Sequence, residues 1–267
     1  MAELLQRQVD ALGIKTNIHY AGTPGHQPIL LLHGTSTSGD SFREVMQGLE
    51  NNHYLIAPDI PGFGQSAETD PYSLDHLIEW LASLIDRLDF TSVDLVGHSF
   101  GGFLAAAYAI AYPEDVSKLL LMSPALLVGQ SVPPIARRIG VPERAVRAGI
   151  SLSRIMLERL IRIQFYQPER MEESVWERRR ADYSRARASA AAVSAVASED
   201  LTPYLSRLDK PTLVIWGEDD PVLSPSQAER LEKLLKDAQL QMLSECGHIP
   251  MIEQKEKVIE LSKAFLG

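Results

Sequence analysis

Val96-Gly97-His98-Ser99-Phe100-Gly101-Gly102 sets one serine among three glycines. The apolar VDLV (93–96) leads in, and the alanine-rich FLAAAYAIAY (103–112) leads out. The first reads as a buried strand and the second as a helix apolar all round. G-x-S-x-G between a strand and a helix has a steric reason. A sharp strand-to-helix turn strains the serine backbone and brings neighbouring backbones close, so positions 97 and 101 take only small residues. The turn lifts the serine Oγ above the strand ends. It also aims the following N–H groups, at a helix N-terminus, at the same point. A phosphate loop is the other use of such a turn, but no GxxxxGK[ST] or GxGxxG follows a strand here.

Outward from this stretch the pattern repeats. PILLLHG (28–34), HYLIAPD (53–59), SKLLLMSP (117–124) and PTLVIWG (211–217) are short apolar runs closed by Gly, Pro or polar residues, and AQLQMLSECGH (238–248) is a weaker last one. Such runs belong to parallel strands covered on both faces. Helical patterns alternate with them at 41–50, 73–90, 103–112, 224–238 and 256–266; Leu74, Leu77, Ile78, Leu81, Leu84, Ile85 and Leu88 form one apolar stripe. The fold class predicted is α/β, a doubly wound and mostly parallel sheet. GIKTNIHYAG (13–22) reads as an antiparallel lead-in strand.

Residues 125–207 break the alternation. They show no convincing strand and several arginine-rich helical stretches, among them 149–165 and 173–196. This segment holds 14 Arg, no Lys and 9 acidic residues, a net +5, against −14 for the rest of a chain whose total is −9. It reads as a helical insertion, giving a core of 1–124 and 208–267 with an inserted 125–207. Its arginines are expected on a solvated face, paired with local glutamates; the alternative is attraction of anionic substrates or of an anionic membrane surface.

The composition sets outer limits. At 267 residues and 45% hydrophobic content the chain can bury one large core. The acidic balance disfavours nucleic acid as a partner. One cysteine, Cys246, leaves no disulfide framework, and no His/Cys cluster suggests a metal or other cofactor. No run is long and apolar enough to span a membrane, and no signal peptide is evident, so a cytoplasmic location is expected.

A nucleophilic serine needs a base, and the base an orienting acid. His248 lies in ECGHIPMIE, a loop after the last strand. Two aspartates, Asp219 and Asp220, follow the strand that ends at Gly217. Taken together, LLHGTSTSGDSF, APDIPGFGQS, VGHSFGG, WGEDDPVLSP and ECGHIP resemble the α/β-hydrolase superfamily along nearly the whole chain. The resemblance implies the α/β-hydrolase fold with a helical cap, and the order Ser99, acid, His248 fits it. It matches G-x-x-D to Gly217–Asp220, which makes Asp220 the triad acid, and G-H-x-P to Gly247–Pro250, which makes His248 the base. It places the oxyanion donors at the backbone N–H groups of Thr35 and Phe100, with His33 supporting their loop. It assigns substrate contacts to Ser36 and to apolar residues of the cap, of which Leu126, Phe165, Tyr166 and Trp176 are candidates with Leu127, Ile155 and Leu160.

The same resemblance narrows the chemistry. Serine at the nucleophile position speaks against haloalkane dehalogenases and epoxide hydrolases, which carry aspartate there, and against dienelactone-hydrolase-like cysteine chemistry. GHIP lacks the Trp that often follows the histidine in meta-cleavage carbon–carbon hydrolases. The implied activity is hydrolysis of carboxylic esters, as in the simple carboxylesterases and lipolytic enzymes of the family, on a small-molecule substrate and without a cofactor. The alternatives are a carbon–carbon bond hydrolase and a non-catalytic small-ligand receptor.

Overall fold

The computed structural model describes residues 4–127 and 154–267. The remainder of the expected insertion, 128–153, and the side chain of Ile155 lie outside that description. Eight strands form one sheet in the order β1-β2-β4-β3-β5-β6-β7-β8. They are β1 (Leu5–Ala11), β2 (Ile14–Gly22), β3 (Pro28–Leu32), β4 (Tyr54–Pro58), β5 (Val93–His98), β6 (Val116–Met122), β7 (Thr212–Gly217) and β8 (Ala238–Leu243). The β1–β2 and β2–β4 pairs are antiparallel, and β4, β3, β5, β6, β7 and β8 run parallel.

The apolar runs form strands because both faces are covered. Along β3, Leu30 and Leu32 join one core cluster while Ile29 and Leu31 join the other. The same alternation holds for Leu119 and Leu121 against Leu120 and Met122 on β6. A period of two puts successive side chains on opposite faces, so a continuous apolar run fits a sheet buried twice. One face carries helices α2 (Leu74–Arg87) and α3 (Phe100–Ala111); the other carries α1 (Arg43–Leu49) and the C-terminal helix. The Ser73 hydroxyl caps α2, accepting from the His76 amide at 3.3 Å. Every residue of α3 from Phe100 to Ala109 is buried, as its all-round apolar sequence predicts.

Between β6 and β7 the described residues are helical: α4 (Arg154–Arg162), α5 (Glu173–Ser184) and α6 (Ser189–Ser198), with short 3-10 turns. Beyond β7 come α7 (Ser226–Leu234), a single turn at Pro250–Glu253, and α8 (Lys255–Leu266). Two readings need correction. The strand β1 is absent from the sequence expectation, because LQRQVDA is an edge strand with mostly exposed side chains and carries no apolar run. The helix read as continuous over 173–196 breaks at Arg185–Ala188, where the Arg187 and Ala188 amides turn to the Gly62 carbonyl at 2.9 and 3.1 Å. Among the described residues no helix is long and apolar enough to cross a membrane.

Candidate active site

Ser99 occupies the join of β5 and α3 with φ 51° and ψ −114°. A non-glycine residue holds such a conformation only where its surroundings over-determine it. Here the Ser99 amide donates to the Met122 carbonyl at 3.0 Å, and its carbonyl accepts from Phe103 at 3.1 Å and Ala125 at 3.0 Å. The glycines are there for space. A Cβ on Gly97 would stand 2.5 Å from the Gly101 carbonyl oxygen, and one on Gly101 would stand 2.0 Å from that of Leu32.

Asp220 and His248 meet this serine from the ends of β7 and β8. The buried Asp220 carboxylate accepts the Val222 and Leu223 amides on Oδ1, at 2.8 and 2.9 Å. Its Oδ2 lies 2.8 Å from His248 Nδ1. The other ring nitrogen, Nε2, is 3.1 Å from Ser99 Oγ. An ionised carboxylate only accepts, so Nδ1 carries the proton and Nε2 offers its lone pair to the serine hydroxyl. Asp219 points elsewhere. It is exposed, and its amide donates to the Cys246 carbonyl at 3.0 Å.

Two further histidines brace the centre. His98 is fully buried, and its Nε2–H donates to the His248 carbonyl at 2.8 Å. Burial and the neighbouring His248 hold its pKa well below the ordinary value, so the ring is neutral. The His33 ring accepts the Ile60 amide on Nε2 at 2.9 Å and donates from Nδ1 to the Gly34 carbonyl at 2.8 Å. Burial lowers its pKa to about 4, the nearby Asp59 opposing. His33 therefore fixes the turn that follows β3. That turn abuts the serine, for a Cβ on Gly34 would lie 3.2 Å from Ser99 Cβ. Among the described residues neither the Thr35 nor the Phe100 amide donates to an acceptor. Phe100 opens α3, where a free N–H also carries the positive end of the helix dipole.

The substrate candidates separate. The Ser36 hydroxyl is 2.8 Å from that of Ser189 at the start of α6, which ties the turn to the helical segment. Leu126 is buried one residue beyond the Ala125–Ser99 hydrogen bond, in the cluster with Ile60, Phe63, Ala188 and Leu223. Phe165 and Trp176 are buried edge to face with ring centroids 5.0 Å apart, in the opposite cluster. Tyr166 is exposed, and its amide donates to Glu253 at 2.7 Å.

A charged centre also lies here that the sequence reading left among the solvated arginines. Arg178, Arg179 and Arg180 are consecutive on α5, and steps of about 100° send them three ways. Arg178 pairs with Glu44 at 2.6 Å and Arg180 with Glu158 at 3.5 Å. Arg179 is 2% exposed. Its Nη2 donates to Gln164 Oε1 at 3.3 Å, while Nε and Nη1 have no partner among the described residues. The nearby Asp182 is buried, which pushes its carboxyl up to about 6 against the pull of Arg179 and of the Ser38 hydroxyl, which donates to it at 2.7 Å. The Arg179 charge is close enough to weigh on His33 and His98. Desolvating a guanidinium costs several kcal/mol unless a partner is supplied. Among the described residues no cluster of His, Cys, Asp and Glu could hold a metal ion.

Comparison with known proteins agrees with this architecture. The family model described as "alpha/beta hydrolase fold" matches residues 27–255. A 2-hydroxy-6-oxo-2,4-heptadienoate hydrolase of Pseudomonas putida is 32% identical over 98% of this chain and 96% of its own. Lipase 1 of Psychrobacter immobilis is 27% identical over 91% of this chain and 78% of its own. A solved thermophilic esterase from Thermogutta terrifontis, with malate bound, superposes with a TM-score of 0.82 at 26% identity, over 98% of both chains. With its family model, its relatives and its eight-stranded sheet in accord, the chain belongs to the α/β-hydrolase family.

Proposed function

We propose that the protein is a serine hydrolase that cleaves carboxylic esters through an acyl-enzyme on Ser99. The observation that carries this is the continuous hydrogen-bonded chain Asp220–His248–Ser99. Ser99 Oγ attacks the ester carbonyl as its proton passes to His248 Nε2. Asp220 holds the ring in the tautomer that leaves Nε2 basic and stabilises the imidazolium once formed. The free Thr35 and Phe100 amides receive the oxyanion, each worth about 3 kcal/mol in the transition state. The alcohol departs with the proton from His248, and water repeats the sequence to release the acid. The insertion 125–207 serves as the cap over this site. Supporting that role are its ties to the catalytic loops through Ser189–Ser36, Asp182–Ser38 and Gln164–His248. The test is a p-nitrophenyl ester assay, in which a burst is expected of the wild type and none of Ser99→Ala; full activity in that variant would sink the proposal.

One observation favours a second reading, a carbon–carbon bond hydrolase of dienoates. Arg179 is a buried guanidinium with two unpartnered nitrogens, as suits a substrate bearing a carboxylate, and the Pseudomonas putida relative is named for such an acid. Under this reading the enzyme turns over a ring-cleavage dienoate faster than short neutral esters. Arg179→Met then raises KM for the dienoate by about a hundredfold. Preference for esters, unaltered by Arg179→Met, favours the first reading.

A further inference from the structure

We propose that Glu253 is a positioning residue for His248, and that it acts jointly with segment 164–166 of the helical insertion. The inference rests on His248 as the general base. The amides on either side of His248 both end on Glu253: Gly247 N–H on Oε2 at 3.1 Å and Ile249 N–H on Oε1 at 3.1 Å. The amide of His248 itself donates to the Gln164 carbonyl at 2.8 Å. Oε2 of Glu253 also accepts the Tyr166 amide, at 2.7 Å. One carboxylate thus gathers both flanks of the base and the turn of the insertion that holds its centre.

No slack separates these pieces. A Cβ on Gly247 would meet the Gln164 carbonyl oxygen at 2.6 Å, the Tyr166 nitrogen at 2.7 Å and Glu253 Oε1 at 2.9 Å. The Glu253 carboxyl is itself under tension: burial raises its pKa, and the three amides and nearby His248 pull it back. An uncharged group there would bind the amides less well. The ring of His248 must keep both Asp220 and Ser99 within hydrogen-bond reach, and tilting its peptide swings Nε2 away from Oγ. Displacement of residues 164–166 would therefore be felt at the base as well as at the pocket.

The test is Glu253→Gln, compared with Gln254→Ala. The carboxamide keeps the outline of Glu253 but turns an NH2 toward backbone donors. Gln254 holds the start of the same loop, its side chain donating to the Ser244 and Glu245 carbonyls and not to residues 247–249. The expected result for Glu253→Gln is a fall in kcat of about tenfold or more with KM within about twofold. The low-field proton resonance of the His248–Asp220 hydrogen bond should broaden or shift in the same variant. Gln254→Ala should lower the melting temperature while keeping kcat and that resonance. The proposal is overturned if Glu253→Gln keeps kcat within about twofold of wild type, or if kcat in both variants simply follows stability. Should Glu253→Gln fail to fold, amide hydrogen exchange on the unmodified protein decides. The Tyr166, Gly247 and Ile249 amides must open together, and a Tyr166 amide that exchanges independently refutes the coupling. Full activity in His248→Gln would instead remove the base assignment, a different failure.

Discussion

Replacing Gly101 by alanine adds one methyl group at the most crowded point of the serine turn. That carbon would sit 2.0 Å from the Leu32 carbonyl oxygen, 2.3 Å from the Leu32 carbonyl carbon and 2.6 Å from the His33 carbonyl oxygen. Ordinary contact begins at 3.4 Å, so a retreat of roughly 1.4 Å is required. The opposing atoms belong to Leu32, which ends β3 and pairs with Gly97 of β5, and to His33, whose ring is held between the Ile60 amide and the Gly34 carbonyl, so they yield little. The start of α3 must move instead, and it carries Ser99 and the Phe100 amide with it. Overpacking of this kind costs about 1–3 kcal/mol, or roughly 2–10 °C in melting temperature for a chain of this size. A misplacement of about 1 Å at the nucleophile costs about a hundredfold in rate. The assay is kcat for a p-nitrophenyl ester beside a thermal melt of the same preparation. Gly48→Ala is the control, because the three atoms nearest its added carbon, at 2.7–2.8 Å, all belong to the Ile259 side chain, which can turn aside. If Gly101→Ala kept kcat within about threefold of wild type, the claim that this contact places the nucleophile would be wrong.

Other expectations follow from neighbouring contacts. Asp220→Asn offers an NH2 where His248 Nδ1–H needs an acceptor and should favour the wrong tautomer, lowering kcat by up to about 10⁴-fold; a loss under about tenfold in an ester assay would contradict the role given to the acid. Asp59 is buried, which by itself raises its pKa, but hydrogen bonds from His19 and the Gln65 amide outweigh that and lower it to about 2. The ionised form is thus held more tightly in the folded chain, and this stability is present above about pH 4 and lost as pH falls toward 2. Melting curves of wild type and Asp59→Asn should differ by roughly 2–3 kcal/mol at pH 7 and converge in acid; a gap independent of pH would contradict the assignment. Trp80→Phe removes the hydrogen bond from the indole Nε1 to Thr16 Oγ1, 2.9 Å long, and should lower stability by about 1–3 kcal/mol in denaturant unfolding without changing kcat.

Much of this was legible because burial on two faces leaves a simple mark. β3, β5, β6 and β7 could be read directly as apolar runs, and the glycines around Ser99 announced the tight turn. Asp220 was separable from Asp219 by its place in the motif, and burial tells the two apart in the structure. What escaped notice depended on partners distant in sequence. LQRQVDA shows no pattern because its side chains mostly face solvent and its order comes from pairing with β2. The pause at Arg185–Ala188 is dictated by Gly62, more than a hundred residues earlier. Arg179 is chemically identical to its neighbours, and only the rotation of α5 distinguishes a buried cation from two paired ones. Glu253 had no local signal beyond standing five residues after His248.

From β5 onward, spatial order equals chain order: β6, β7 and β8 are added outward one after another. Ser99 therefore sits on a strand made early, while His248 arrives 149 residues later and Asp220 stands 28 residues before it. A growing polypeptide would carry the serine for more than half of its synthesis with nothing to draw off the hydroxyl proton. On the proposed mechanism Ser99 would remain an ordinary alcohol until the turn beyond β8 delivered His248. Reactivity toward an active-site phosphonate should therefore report completion of the chain, and truncated products ending before His248 should remain unlabelled however well their early strands have formed.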